Sequence, residues 1–333
     1  MDNKIEFLIM LFIAFIVTLL VTKELIKFFT KKKIGQKILE IGPSWHKDKN
    51  GTPTMGGLSF VIAFIVAFLV KIILLIINGR NEEILSTLIV ILFVLINAFV
   101  GVIDDLAKIK KDKNEGLKPL SKLLFQGISA VLLLAGLTFT NKINTILKIP
   151  FLNLEYDIGF FYYVLGFFLI CGFINATNLT DGIDGLASSV SLTSGVLISA
   201  ISMMLTNLEG LGFIGAIIVG VTFAFLFYNL HPAKIFMGDT GSLFLGAMIV
   251  SASFLINNPL LVIFYGFIFL CEAFSVILQV SFFKITKGKR LFKMAPLHHH
   301  LEKSGFNEMK IVVIFTIINA VFCILAFVSF LNL

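Results

Sequence analysis

Long apolar runs separated by short polar connections dominate the pattern of this sequence. Each run covers about 17–25 residues, the length that an α-helix needs to cross the roughly 30 Å hydrocarbon core of a bilayer. The pattern predicts an all-α polytopic integral membrane protein with one transmembrane domain over residues 1–333. The ten predicted spans are 6–29, 56–77, 84–103, 119–139, 159–177, 187–206, 211–228, 240–256, 259–283 and 309–331.

Two stretches depart from this simple pattern. The ninth run is long and carries Glu272, and a carboxylate at membrane depth is expected to face protein rather than lipid. We therefore expect the ninth span to tilt or break, with Glu272 turned inward. Residues 140–158 form the longest connection on their side of the membrane, and the alternation over 152–158 predicts a small β-hairpin.

The positive charges mark one side of the predicted bundle. Of the Lys and Arg residues, 22 lie on the side of Lys31 and 5 on the opposite side. Cytoplasmic connections carry such an excess, so we expect both termini to be extracytoplasmic. The chain is 58% hydrophobic with a net charge of +7. Because the charge stands beside the spans, it indicates topology and anionic partners at the lipid bilayer, and no nucleic-acid partner is expected.

Polar clusters accumulate on the same basic side. They are Asp104-Asp105, residues 175–186, residues 229–232, residues 236–241 and residues 296–302. Five clusters on one membrane face predict an active site at the cytoplasmic surface. A transporter or channel, the non-enzymatic alternative, would keep its polar residues near the bilayer midplane.

The stretch 175–186 is the richest of these clusters. Asn175, Asn178, Asp181 and Asp184 recur at every third residue, a step that turns a helical side chain by about −60°. The first three can therefore share one wide face, while Asp184 begins to leave it. Gly182 favours a loosened helix that lets the backbone approach a ligand. The alternative is a polar cap between two spans, although a cap needs only one such residue.

Two further motifs supply carboxylates. Asp104 and Asp105 are neighbours about 100° apart around a helix, so both can reach one site without touching. Such a pair suits Mg²⁺ and phosphate chemistry, and a solvated helix end is the alternative. Asp239 begins the eighth span among Gly and Thr residues, where a helix N-terminus can cradle phosphate, or where Asp239 is only the N-cap.

Basic and aromatic candidates complete the inventory. The consecutive histidines at 298–300 suggest a zinc site, but no His or Cys lies four residues further on, so the zinc signal is weak. Binding of a diphosphate, or a solvated loop, is the better interpretation of these histidines. Lys49 and Lys122 are candidate phosphate contacts, and Phe236 could stack on a base or pack in the core. Together these residues favour Mg²⁺-dependent transfer of a phospho-group from a soluble nucleotide-linked donor to a lipid acceptor.

The motifs resemble those of the phospho-N-acetylmuramoyl-pentapeptide transferase family, within the polyprenyl-phosphate N-acetylhexosamine-1-phosphate transferase superfamily. They stand in family order over the whole chain. The stretches that carry the resemblance are Thr52-Pro53-Thr54-Met55-Gly56-Gly57, Asp104-Asp105, residues 178–186, residues 236–243 and residues 296–302. One position differs from the commonest family form, since Ile183 stands where Leu is usual.

The resemblance implies a reaction, a setting and residue roles. The reaction is transfer from UDP-N-acetylmuramoyl-pentapeptide to undecaprenyl phosphate with Mg²⁺, giving lipid I and UMP for peptidoglycan synthesis. The setting is a homodimer in the bacterial cytoplasmic membrane, with ten spans. By motif match, Asp239 is implied as the Mg²⁺ ligand, Asp104 as the residue that deprotonates the lipid phosphate and Asp105 as a catalytic partner. His298 and His299 are implied as essential. The implied substrate-binding residues are Lys49, Lys122, Asn175, Asn178, Asp181, Gly182, Asp184, Asn229, Phe236 and His300.

Two questions stay open at the level of sequence. The acceptor could attack the donor directly, or an aspartate could attack first and form a phosphoryl-enzyme. The rival substrate is UDP-N-acetylglucosamine, which a sister transferase of the superfamily would use with the same lipid.

Overall fold

The described part of the protein, in a computed structural model, is a helical bundle with a small hairpin. The structure describes residues 3–32, 34–35, 49–111, 116–152, 154–204 and 209–331. Its helices and strands are α1 Asn3–Lys31, α2 Leu58–Ile77, α3 Glu82–Lys111, α4 Pro119–Phe139, β1 Ile146–Ile149, β2 Leu154–Asp157, α5 Phe161–Thr180, α6 Leu186–Met204, α7 Glu209–Asn229, α8 Gly238–Leu255, α9 Val262–Tyr265, α10 Phe267–Ile285, α11 Leu297–Glu302 and α12 Glu308–Leu331.

Ten of these helices are long and apolar enough to cross a membrane, which confirms the predicted polytopic α-helical fold. The last two residues of the predicted sixth span lie outside the described residues. The third span was predicted to end at residue 103, and the helix that forms it, α3, continues beyond that point to Lys111. The helix extends past its apolar run because Asp104 pairs with Lys108 one turn later. The acidic pair therefore lies inside a helix and has fixed directions.

The least hydrophobic span lies at the centre of the bundle. Helix α8 has a hydropathy of 1.3, the lowest of the ten spans, and every one of its residues after Gly238 is buried. Helices α2, α3, α5, α6 and α7 all contact it. A helix enclosed by protein needs no lipid-compatible surface, so α8 can be rich in Gly, Ser and Ala. The start of this central helix carries Asp239.

The two predicted departures from the simple pattern are confirmed. Strands β1 and β2 pair antiparallel, with Ile146 opposite Asp157 and Ile149 opposite Leu154. The ninth run is broken: a 3₁₀ turn at Pro259–Leu261 leads into α9, and the long helix α10 restarts after Gly266. Glu272 on α10 is fully buried and faces protein.

Candidate active site

A pair of lysines lies between two aspartates from different helices. Asp104 on α3 is fully buried, with its Oδ1 2.8 Å from Lys122 Nζ and its Oδ2 2.8 Å from Lys108 Nζ. Asp239 at the start of α8 contacts the same two lysines, with its Oδ1 2.6 Å from Lys108 Nζ and its Oδ2 accepting from Lys122. We call these four side chains the carboxylate–lysine cluster. It joins α3, α4 and α8 at one point.

Asp105 lies beside this cluster, with its Oδ1 4.0 Å from Lys108 Nζ, and caps the start of α8. Its Oδ1 accepts a hydrogen bond from the Asp239 backbone N–H at 3.0 Å. Its Oδ2 accepts from the backbone N–H of Thr240 at 2.9 Å and from its hydroxyl at 2.7 Å. Gly238 has φ of 70°, and a Cβ there would lie 2.6 Å from Asp105 Oδ2, so the tight turn requires glycine. Asp105 thereby fixes the backbone that presents Asp239.

The three aspartates form a set that could hold a metal ion. One carboxylate oxygen from each of Asp104, Asp105 and Asp239 lies within 4.8 Å of the others, and all three residues are buried. An all-oxygen carboxylate set suits a hard cation such as Mg²⁺ better than zinc or copper. Three carboxylates facing two lysines also leave one negative charge for a cation to offset. The residues present therefore fit the metal that the sequence implies.

Asp181 lies in the turn 181–185 that joins α5 to α6, and part of its surface remains accessible. Withdrawal of its carboxyl from bulk water, together with the negative charges of Asp239, Asp105 and Asp184, raises the pKa of Asp181 to about 8. A carboxyl that keeps its proton near neutral pH can donate a hydrogen bond to an anionic ligand. Asp181 thus differs chemically from the ion-paired Asp104 and Asp239.

Asp184, three residues later, belongs to a second charged group. Its Oδ1 accepts from Lys49 Nζ at 2.7 Å, and its Oδ2 lies 3.0 Å from His231 Nδ1 and accepts from the Ala233 N–H at 3.0 Å. Glu308, the first residue of α12, accepts from Lys49 at 2.6 Å and from the Asp184 N–H at 3.1 Å. This group ties together four segments that are far apart in sequence.

Two candidate amides make contacts at the ends of their helices. Asn178 in the last turn of α5 accepts from Ser242 Oγ on α8 at 2.9 Å. Asn229 is buried, accepting from Ser188 Oγ at 3.2 Å and donating to the Ile235 carbonyl at 3.0 Å. Both ends of the Asn229 amide therefore hold the segment between α7 and α8 in place.

Asn175 turns toward α4. Its amide nitrogen donates to Gln126 Oε1 and to the Cys171 carbonyl, both at 2.8 Å. The bond to Gln126 joins α4 to α5, the bond to Cys171 lies within α5, and neither bond involves another candidate residue. The structure thus gives Asn175 a contact between helices, one turn from Asn178.

Phe236 sits on a short extended pairing between two loops. Its N–H donates to the Pro53 carbonyl at 2.8 Å, and its own carbonyl accepts from Gly56 at 2.8 Å. The Gly57 N–H then donates to Met237 at 2.9 Å. Half-buried Phe236 is thereby held against the loop that follows Lys49. This pairing brings the two motifs together in space.

His298 is the most enclosed of the three histidines. It is the second residue of the short helix α11 and is almost fully buried. A Cβ placed at Gly182 would lie 2.2 Å from His298 Nε2. The turn 181–185 and the His298 ring are therefore in direct contact, and glycine at 182 permits the approach.

The other two histidines make contacts within their own segment. Nδ1 of His299 lies 2.6 Å from Glu302 Oε2, one turn further along α11. Nδ1 of His300 accepts from the Lys293 N–H at 3.1 Å. His300 thereby orders the loop before α11.

A methyl group at position 182 should damage the site. We expect Gly182→Ala to lower the free energy of unfolding by about 1–3 kcal/mol, because the Cβ must displace the His298 ring. Thermal unfolding in detergent measures this loss. The matched control is Gly172→Ala on α5, where a Cβ meets nothing within 4 Å and alanine favours the helix, so stability should not fall. Equal behaviour of the two variants would contradict the close contact.

Three ionisable residues of the site escaped the sequence analysis. Lys108 could have been found, because it follows Asp104 by four residues on a helix, the spacing of an ion pair. His231 was visible only as part of a polar cluster. Nothing in the sequence around Glu308 indicated a role in the site, since an acidic residue is ordinary in the first turn of an apolar helix.

Comparison with known proteins places this geometry in a family. The family model described as Glycosyl transferase family 4 matches residues 87–257, and Phospho-N-acetylmuramoyl-pentapeptide-transferase signature 1 matches residues 49–61. The first range contains Asp104, Asp184 and Asp239, and the second contains Lys49 and the loop paired with Phe236. The fold and site thus define a multi-pass membrane transferase.

Similar proteins identify the family more specifically. A phospho-N-acetylmuramoyl-pentapeptide-transferase of Staphylococcus carnosus (strain TM300) is 42% identical over 311 residues, which cover 93% of this chain and 94% of the relative. One of Clostridium perfringens (strain SM101 / Type A) is 41% identical over 331 residues, covering 98% and 97%. One of Clostridium novyi (strain NT) is 39% identical, covering 96% of each chain. The chain belongs to the phospho-N-acetylmuramoyl-pentapeptide-transferase family.

Proposed function

We propose that this protein transfers phospho-N-acetylmuramoyl-pentapeptide from its UDP-linked donor to undecaprenyl phosphate, giving lipid I and UMP. The observation that carries the proposal is the carboxylate–lysine cluster, which brings together two lysines and two aspartates from three membrane helices. Family membership supports the choice of substrates. The reaction brings two anionic substrates together, so a site for it must offset negative charge.

Lys108 and Lys122 supply the positive charge for those phosphates. In the structure each lysine contacts both Asp104 and Asp239. An ammonium group carries three donors on a flexible stem, so each lysine can move from a carboxylate to a phosphate oxygen when substrates bind. This exchange would free carboxylate oxygens as the phosphates arrive. Lys122 then has the phosphate contact that its motif implies.

Asp104 is the group that takes the proton from the acceptor phosphate. Its side chain is fully buried between the two lysines, and its Oδ1 also accepts the Leu117 N–H at 2.7 Å. These contacts fix the direction of the carboxylate. A general base must be held within hydrogen-bond reach of the proton that it removes. Removal of that proton leaves a phosphate oxygen free to attack.

Asp239, with Asp104 and Asp105 beside it, would hold Mg²⁺. When bound, the ion supplies Lewis-acid stabilisation of charge on the phosphate oxygens. Asp239 is presented by a backbone that Asp105 fixes through hydrogen bonds to Asp239 and Thr240. Asp105 therefore acts here as a positioning residue for Asp239.

The second charged group forms the nucleotide end of the site. Lys49, Asp184 and the turn 181–185 lie on one side, and Phe236 is held beside the loop of Lys49. Phe236 offers a ring for stacking on the uracil, and Asp184 offers a carboxylate acceptor for the N–H of a base. Asn178 and Asp181 stand between this end and the start of α8.

Two courses of the reaction are compatible with these residues. In the direct course, the acceptor oxygen attacks the sugar-side phosphorus, a new P–O–P bridge forms, and the bond to UMP breaks. In the two-step course, an aspartate oxygen attacks first and is displaced by the acceptor. The direct course fits better. Each of Asp104, Asp105 and Asp239 forms ion pairs or accepts hydrogen bonds through its carboxylate, and an aspartate that became an acylphosphate would lose them. Trapping of a labelled aspartyl-phosphate with donor alone would rule it out.

The protein is placed by this proposal in the cytoplasmic membrane of a bacterium, with its site on the cytoplasmic face and as a homodimer. The supporting observation for the face is that the site helices lead into the connections that carry most of the Lys and Arg residues. Its donor is soluble and its acceptor is a lipid, so the site must stand at the boundary between water and bilayer.

A donor exchange tests the proposal. We expect the purified protein to release UMP from UDP-N-acetylmuramoyl-pentapeptide when undecaprenyl phosphate is present. With UDP-N-acetylglucosamine instead, release should fall to the background without acceptor. The reverse preference would identify the sister transferase. Flux across vesicles without any UMP release would identify a transporter.

A further inference from the structure

Glu272 is a buried carboxylate that the proposed chemistry leaves unused. It lies within the membrane-spanning helix α10 and is fully buried. Within the described part of the chain, its ionic partner is His298. A carboxylate inside a span is costly unless it is paired, so its contact with His298 needs a reason.

The Glu272 carboxylate contacts His298 at two points. Glu272 Oε1 accepts the backbone N–H of His298 at 3.1 Å, which caps the first turn of α11. Glu272 Oε2 lies 3.2 Å from Nδ1 of the His298 ring, a distance that a small ring rotation turns into a hydrogen bond. The same carboxylate therefore contacts both the backbone and the ring of His298.

The other edge of the ring faces the site. Nε2 of His298 lies against the turn 181–185, next to the position where Gly182 lacks a side chain. The ring is almost fully buried, and among the described residues neither Nε2 nor Nδ1 has a hydrogen-bond partner. A buried polar atom without a partner costs about 1–3 kcal/mol. Because Nε2 lies at the wall of the site, its position indicates that the bound ligand supplies the missing hydrogen-bond partner.

We propose that Glu272 is a positioning residue that holds the His298 ring so that Nε2–H donates to a phosphate oxygen of the nucleotide donor. Glu272 accepts the Nδ1 proton and offsets the positive charge of the ring, as carboxylates do for histidines in many sites. The ligand class is an anionic oxygen, because a charged imidazole carries donors only. This inference rests on the proposed function, which supplies the diphosphate.

Glu272→Gln tests the inference with little change of shape. The amide keeps an oxygen for the His298 backbone N–H and removes the charge. We expect kcat for UMP release to fall about 10–100-fold, the usual loss for a residue that orients a site histidine. The KM for undecaprenyl phosphate should stay within about twofold. The double variant with His298→Gln should be no slower than His298→Gln alone, because Glu272 acts through that ring.

Several outcomes overturn the inference. A Glu272→Gln protein with kcat within threefold of the wild type would do so. So would losses that multiply in the double variant, since these mean that Glu272 only caps α11. The matched control is Glu155→Gln on the exposed hairpin, which should keep full activity.

A second measurement avoids any folding defect of the variant. In wild-type protein labelled with ¹⁵N-histidine, both ring nitrogens of His298 should be protonated when the donor is bound without acceptor. The His298→Gln spectrum assigns the signals. A neutral ring with a free electron pair at Nδ1 would overturn the inference. If wild-type protein releases no UMP from any donor, the proposed function fails instead, which is a separate result.

Discussion

Asp239→Asn should lower kcat for UMP release about a thousandfold while the protein still folds. Loss of a carboxylate that holds the metal removes several kcal/mol of transition-state stabilisation. A loss of about 4 kcal/mol corresponds to a thousandfold fall in kcat. The fold should survive because Lys108 and Lys122 each keep their contact with Asp104. The measurement is UMP release over a range of Mg²⁺ concentrations, with thermal unfolding of the same preparation.

Glu155→Gln is the control for this experiment, since it makes the same type of change on the exposed hairpin. Its activity and its Mg²⁺ dependence should equal those of the wild type. An Asp239→Asn protein that retains Mg²⁺-dependent turnover within tenfold of the wild type would remove the metal role from Asp239.

Asp104→Asn should lower kcat about 10²–10⁴-fold, the range for loss of a general base. The amide can still accept the Leu117 N–H, and both lysines keep Asp239 as a partner. We therefore expect the KM values for donor and acceptor to stay within about threefold. Steady-state UMP release with each substrate varied separately measures both effects.

A different result would reassign Asp104. If kcat is nearly unchanged and the KM for undecaprenyl phosphate rises, Asp104 orders the lysines and does not accept the proton. Asp104→Glu provides a further comparison, because it restores a carboxylate in a shifted place. Its kcat should lie between those of Asp104→Asn and the wild type.

The sequence by itself was enough to predict the spans, the hairpin and the inward direction of Glu272. These features depend on local periodicity, on length and on the cost of placing a carboxylate in lipid, all of which a single stretch of sequence carries. The candidate residues could also be named from their motifs. The predicted third span stopped at the end of its apolar run, whereas α3 continues to Lys111 with an ion pair between Asp104 and Lys108, a spacing that the sequence does carry.

Only the tertiary structure decided how those candidates divide their work. Asp104 and Asp105 are adjacent in sequence, yet one joins the two lysines and the other caps α8. Asp181 and Asp184 are three residues apart, yet Asp184 belongs with Lys49 and Glu308. The reason is physical: an ionic contact depends on distances of a few ångströms between helix ends. Helix packing sets those distances, and no local pattern in the chain records them.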